Sequence, residues 1–335
     1  MTSSRPSGSS SPSSELPPAR RGLGCLVVAM VGLAVVGGFG LMLAAAGGAA
    51  SPMIRETVLE APAGATKRLV RIPARGLLLE GGGPMGEGPG ITRPLLDMLA
   101  QAERDPRVEG VLLELDTPGG SVTDSDLLHA RVKALREKGK RVHVLMGDLC
   151  ASGGVYVAVA AERIQALPTA VTGSVGVVIS AVNFSGLMER HGVQDTSVVS
   201  GPNKALLSPT RPVDPEHQRI LQGIVDAMYA RFVKLVAEGR GLAVERVQAF
   251  ADGRLLTADQ ALAFGLIDAV GYGDAALDAL REAAGGGPYE VVRYEVEPTL
   301  IDLLKARAAA PEPRSMLGSL ARPPRAMYVF APALP

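Results

Sequence analysis

The chain has 335 residues, with 34 Lys and Arg against 34 Asp and Glu, no Trp and 4% aromatic residues. A net charge of zero and few aromatic rings exclude the basic, base-stacking surface of a nucleic-acid-binding protein, so no nucleic-acid partner is expected. Two cysteines, Cys25 and Cys150, support no disulfide framework, and the absence of a P-loop, a dinucleotide fingerprint and a Cys/His cluster leaves no metal or cofactor expected.

Residues 1–21 are rich in Ser and Pro and read as a disordered tail. Residues 22–50 carry no charge and exceed the roughly 20 residues that cross a bilayer core, which predicts one transmembrane anchor. Arg20 and Arg21 stand directly before this run, whereas Arg55, Glu56 and Glu60 follow it. That bias predicts a single-pass protein of the cell membrane with a cytoplasmic N-terminus and a body on the outer side. A removable signal peptide ending near Ala44–Ala46 or Gly48–Ala50 is the alternative, but the run is longer than an h-region of about 7–15 residues.

After a linker over 51–66, strand-like and helical stretches alternate. Residues 108–115 form an apolar strand that feeds Asp116-Thr117-Pro118-Gly119-Gly120. Leu127, Leu128, Val132 and Leu135 repeat with a helical period over 123–138. A strand over 141–146 leads to a helix over 152–161, followed by short strands over 163–167 and 175–179. Residues 193–199 lead into the loop holding Lys204, and 215–238 form a long helix with Ile220, Ile224, Met228, Phe232 and Leu235 on one face. This alternation predicts one α/β domain over 67–285. Residues 286–335, with many prolines, read as an extended C-terminal tail that docks on the body through Tyr328, Val329 and Phe330.

The chemistry gathers in Ala151-Ser152-Gly153-Gly154 and in Ser200-Gly201-Pro202-Asn203-Lys204. A serine hydroxyl is a poor nucleophile until a base takes its proton, and an uncharged lysine can be that base. Lysine ordinarily titrates near 10.4, so the role needs an apolar surrounding; Pro202, Ala205, Leu206 and Leu207 supply apolar neighbours. The Gly153 N–H, at a helix start, is a natural donor to an oxyanion, and the side-chain-free Gly119-Gly120 turn is the place for a second. Each pair of glycines alone is common loop chemistry. His129, His143, His191 and His217 lack the context of a Ser-His-Asp arrangement, and Cys150 reads as a small buried residue.

These motifs, with Gly173-Ser174-Val175-Gly176 between them, resemble the signal peptide peptidase A family, the serine/lysine proteases of peptidase family S49. The resemblance spans about 68–284 and includes a closing signature over 250–257 and 261–268. It implies a Clp/crotonase-like ββα superhelix, catalytic Ser152 and Lys204, and Ser174 as the group that orients the lysine. It also implies a ring-like homo-oligomer acting on signal-peptide remnants and other apolar peptides at the membrane. Tyr156, four residues past Ser152 on the same helix face, is a candidate for the substrate pocket or for the core, and Val155, where the family usually has an aromatic pair, is a candidate for the adjacent pocket wall. A stomatin-operon-type Clp-class protease, a catalytically silent peptide-binding scaffold and a crotonase-like acyl-CoA enzyme are the alternatives.

Overall fold

In the computed structural model the described residues are 54–80, 90–297 and 327–329, the last three for their backbone alone. The tail over 1–21, the anchor over 22–50 and most of the segment after 297 lie outside them. Among the described residues no helix is long and apolar enough to cross a membrane.

Three strands build the centre of the body: β2 (Lys67–Arg75), β3 (Val108–Thr117) and β5 (Arg141–Ala151). The apolar centres of β3 and β5 suit parallel strands covered on both faces, while β2 interleaves buried Leu69, Val70, Ile72 and Ala74 with basic residues. They lie in the order β1 (Ile54–Glu60), β10 (Tyr289–Val296), β2, β3, β5, β6 (Arg163–Ala166), β9 (Ala269–Val270). Every neighbouring pair is parallel except β1 with β10. On one face Leu95, Met98 and Leu99 of α1 (Thr92–Arg104) and Leu128, Val132 and Leu135 of α2 (Val122–Glu137) enter the main core. A second cluster joins Leu277 and Leu280 of α8 (Gly273–Ala283) to Leu69, Leu112 and Leu145 of the sheet. Burial of each such leucine contributes about 1.5–3 kcal/mol.

β5 changes partner along its length, and this places the site. His143 to Met146 pair with β6, whereas Leu149 to Ala151 pair with β7 (Val171–Gly173). β7 in turn pairs antiparallel with β8 (Leu255–Thr257). Helix α3 (Gly153–Ala158) opens directly behind β5. β4 (Gly119–Ser121) and β11 (Met327–Val329) form a separate antiparallel pair. The remaining helices are α4 (Ser185–Arg190), α5 (Pro215–Arg240), α6 (Val244–Gln248) and α7 (Ala258–Phe264). α5 begins at the Asp214 cap and ends at Gly241, whose φ of 62° suits a glycine.

Several expectations shift. The stretch read as a linker contains β1, and the stretch read as the start of the tail contains β10, so the sheet extends beyond 67–285 at both ends. Tyr289-Glu-Val-Val-Arg-Tyr buries Tyr289, Val291, Val292 and Tyr294, a pattern overshadowed by the prolines that follow. The strand expected over 175–179 lies earlier, at Val171–Gly173, because Ser174 has a φ of 52° and turns the chain out of the sheet.

Candidate active site

Ser152 stands at the turn between β5 and α3, with φ 53° and ψ −111°, and is 1% exposed. A non-glycine residue in this region carries backbone strain and persists only where its surroundings hold it. Its N–H donates to the Gly173 carbonyl at 2.8 Å, and its carbonyl accepts from the Tyr156 N–H at 3.0 Å. The next serine is held in the same manner: the Ser174 N–H donates to the Arg254 carbonyl at 2.7 Å. Ser152 and Ser174 line one cavity of about 500 Å³, together with the apolar Val175, Val177, Val178, Val225 and Tyr229 and the acidic Asp226 and Asp252. The carboxyl of Asp252 is lowered to about 2, chiefly by the Arg254 side chain that bonds it.

The glycines have separable tasks. A Cβ on Gly154 would lie 2.8 Å from Thr117 Cγ2 and 3.0 Å from Cys150 Sγ, so the missing side chain lets α3 pack on the end of β3. A Cβ on Gly120 would lie 2.0 Å from the Leu78 carbonyl oxygen, an impossible contact. The Gly119 N–H donates to Thr117 Oγ1 at 3.1 Å, so this amide is held within its own turn. Leu78 donates to the Gly119 carbonyl at 2.9 Å, and Ser121 donates to the Leu78 carbonyl at 2.9 Å. Because backbone groups alternate along a strand, Gly120 directs its N–H and C=O to the opposite edge, the edge where β11 lies. Thr117 and Asp116 hold the turn in place. Thr117 fixes Gly119, and Asp116 accepts from the Leu149 N–H at 3.2 Å, tying β3 to the end of β5.

Lys204 is not brought to this cavity. It sits exposed on the 3-10 turn Pro202–Ala205, with its N–H on the Gly201 carbonyl at 3.1 Å. The arm carrying it is knitted by Asp195, which accepts from Ser197, Thr210 and Arg211. Those bonds, led by Ser197, hold that carboxyl well below the usual range. The arm and the start of α5 expose Val182, Leu187, Val193, Val213 and Ile224, and Val198 is 98% exposed.

Val155 and Tyr156 are fully buried and do not line the cavity. The Tyr156 hydroxyl donates to Asp126 at 2.6 Å and accepts from Arg231 Nε at 3.0 Å, while Arg231 also reaches Asp126 at 2.6 Å. Its ring packs on His129 and Phe232, with centroids 5.5 and 5.0 Å away. This pair therefore anchors α3 to α2 and α5. Burial pushes the Cys150 thiol far up, which suits a core residue and not a nucleophile.

The family model described as "Peptidase family S49" matches residues 134–286. A Synechocystis sp. protein named as a protease is 38% identical over 231 residues, which cover 69% of this chain and 79% of the relative. The chain belongs to peptidase family S49. An Enterococcus faecium protein named as a signal peptide peptidase SppA is 32% identical over 73% of this chain and 72% of its own length. Protease 4 of Salmonella typhi is 33% identical over 82% of this chain and 43% of its own. A solved ClpP1 mutant from Listeria monocytogenes aligns over 62% of this chain at 16% identity and a TM-score of 0.42. The matched S49 region includes Ser152, Ser174 and Lys204 and begins after the Gly119-Gly120 turn.

Proposed function

We propose that this S49 protein is a membrane-anchored serine endopeptidase that cleaves signal-peptide remnants and other apolar peptides through an acyl-enzyme on Ser152. The observation that carries the reading is the buried, strained Ser152 at a strand-to-helix turn, opening with Ser174 into a largely apolar cavity. A nucleophile held on such a turn presents its oxygen to a bound carbonyl without rotamer search. The Gly153 and Gly120 amides are the oxyanion donors in this reading, since the Gly119 amide is already engaged by Thr117. The relatives' names support a peptidase, and the uncharged run over 22–50 supports the anchor.

In the first step a base removes the Ser152 proton as Oγ bonds the scissile carbonyl carbon. The same group then protonates the departing amine as the C–N bond breaks. Water, deprotonated in turn, attacks the ester and releases the acid. Lys204 is the base in this reading, and it belongs to a neighbouring copy of the chain. Its exposure, and the uncovered apolar side chains along its arm, support a homo-oligomer in which burial at the contact favours the neutral amine. Ser174, which lines the same cavity as Ser152, orients the arriving lysine in this reading.

The test uses purified full-length protein and an apolar fluorogenic peptide. Ser152→Ala and Lys204→Ala each lose activity by roughly 1000-fold or more. Co-assembly of the two variants restores a fraction of turnover, because some contacts pair an intact serine with an intact lysine. Full activity in Lys204→Ala would remove the dyad, and mixed assemblies without activity would remove the lysine's supply from a second copy.

A further inference from the structure

Among the described residues three non-glycine residues have positive φ: Ser152, Ser174 and Leu207. The first two belong to the cavity described above, and the third lies three residues past Lys204. A bulky side chain at φ 60° is strained and stays there only where its neighbours fix it. The chain after Leu207 is fixed in this way. The Ser208 N–H donates to the Ala205 carbonyl at 3.1 Å, and the Phe184 N–H donates to the Pro209 carbonyl at 2.6 Å. Asn183 Nδ2 donates to the Ser208 and Arg211 carbonyls at 3.2 and 2.6 Å.

On the other side of Lys204 the hold is a single side chain. His217 Nε2 lies 3.0 Å from the Pro202 carbonyl. A carbonyl only accepts, so this nitrogen carries the proton it donates. His217 is the third residue of α5, directly behind the Asp214 cap, whose carboxylate accepts from the Glu216 N–H at 2.8 Å. The turn holding Lys204 is thus pinned to α5 at Pro202 and to the arm from Ser208 onward. We propose that Leu207 and His217 are positioning residues for Lys204, fixing the backbone from which this lysine reaches the Ser152 of a neighbouring copy. This rests on the peptidase reading, in which Lys204 is the base. A lysine amine stands on a flexible four-carbon stem, so a base of this kind needs a fixed point of departure. The torsion at Leu207 sets the direction of the turn, and the His217 bond sets its distance from α5.

The test uses full-length protein, an apolar fluorogenic peptide and two pairs of variants. Leu207→Val keeps an apolar side chain but resists positive φ, whereas Leu207→Gly discards the side chain and accepts that torsion. His217→Phe keeps a ring without a donor, whereas His217→Gln keeps an N–H donor. Leu207→Val and His217→Phe are expected to lower kcat by roughly 10-fold or more at unchanged KM, because the substrate sits in the Ser152 cavity. Leu207→Gly and His217→Gln are expected to stay within about 3-fold of the parent kcat. Sedimentation is expected to show the parent's assembly in all four. Hydrogen exchange over residues 200–208 reads the turn without any turnover: the bonded Lys204 and Ser208 amides are expected to exchange faster in Leu207→Val and His217→Phe alone. Parent-like kcat in Leu207→Val or His217→Phe, a 10-fold loss in Leu207→Gly or His217→Gln, or a loss of kcat matched by lost assembly or raised KM overturns the proposal. If the parent hydrolyses no peptide, the peptidase reading falls, while hydrogen exchange still decides whether these two residues hold the turn.

Discussion

The Ser152 N–H and the Gly173 carbonyl lie 2.8 Å apart, and this one hydrogen bond couples two turns of unusual geometry. Ser152 has φ 53° and Ser174, the residue after the acceptor, has φ 52°. β5 delivers the first serine and β7 the second, and the bond continues the pairing of Ala151 with Gly173 one step past the end of the strands. The nucleophile candidate and its companion are thus positioned by sheet register, not by their own side chains.

Strain at Ser152 makes a prediction that separates chemistry from stability. Glycine adopts positive φ without steric penalty, whereas alanine does not. Ser152→Gly and Ser152→Ala should both abolish turnover, yet the glycine variant should be the more stable of the two by about 1 kcal/mol. Urea midpoints at matched slopes measure this. An alanine variant as stable as the glycine variant would show that the backbone at Ser152 is relaxed.

Gly120 offers a second test of placement. An added methyl group would meet the Leu78 carbonyl carbon at 2.6 Å as well as its oxygen, and backbone cannot yield as a side chain does. Gly120→Ala should therefore displace β4 from Leu78, at about 2 kcal/mol or more of stability and roughly 100-fold or more in kcat/KM. At Gly139, where a Cβ would meet nothing within 4 Å, the φ of 83° disfavours alanine as well. Gly139→Ala should cost about 1 kcal/mol and leave kcat/KM intact. A parallel loss of activity in the two variants would mean that general destabilisation, not the site, is being read.

How far the sequence carried the structure depends on which interactions were local. The helix expected over 215–238 is Pro215–Arg240, since its cap, its period and Gly241 are all written in adjacent residues. The strand expected over 141–146 continues to Ala151, because its last residues pair with β7 in place of β6, a choice made by distant residues. Ser152 and Ser174 were legible as motif residues, and the structure brings them together. The exposure of Lys204 was not legible, because the apolar Pro202, Ala205, Leu206 and Leu207 that adjoin it in sequence do not bury its turn in the fold. Tyr156 was read as a pocket candidate from its spacing alone; its partners Asp126 and Arg231 lie on separate helices, beyond any local pattern.

That Tyr156 cluster predicts a stability effect with little effect on chemistry. Tyr156→Phe removes a hydrogen bond to a carboxylate and another from a guanidinium, and should cost about 1–2 kcal/mol, the lower end reflecting the partly exposed Asp126. Because the ring does not line the cavity, kcat should change less than about 3-fold. Burial acts to raise the Asp126 carboxyl, but the bonds from Tyr156 and Arg231 outweigh it and hold the group below its usual value. The stability so gained is present above the unfolded-state value near 3.9 and is lost as pH falls through the lower folded value. Tyr156→Phe should accordingly lose less stability than the parent between pH 5 and pH 3. Equal losses would assign the acid sensitivity to other carboxylates.

His143 predicts a pH dependence in a higher window. It lies buried near the start of β5, and its Nδ1 has no hydrogen-bond partner among the described residues. Desolvation lowers its basicity, followed by the opposing pull of Glu162 and the push of Arg163. The unfolded chain then binds a proton near pH 6.5 that the folded chain refuses, so stability is full above that value and falls as the solution is acidified toward pH 5. His143→Gln, which cannot titrate, should lose stability on mutation yet show a smaller drop in urea midpoint between pH 7.5 and pH 5 than the parent. A variant whose midpoint falls as steeply as the parent's over that interval would place the proton uptake elsewhere; His129 is the next group to replace, because it is partly buried and also shifted downward chiefly by desolvation.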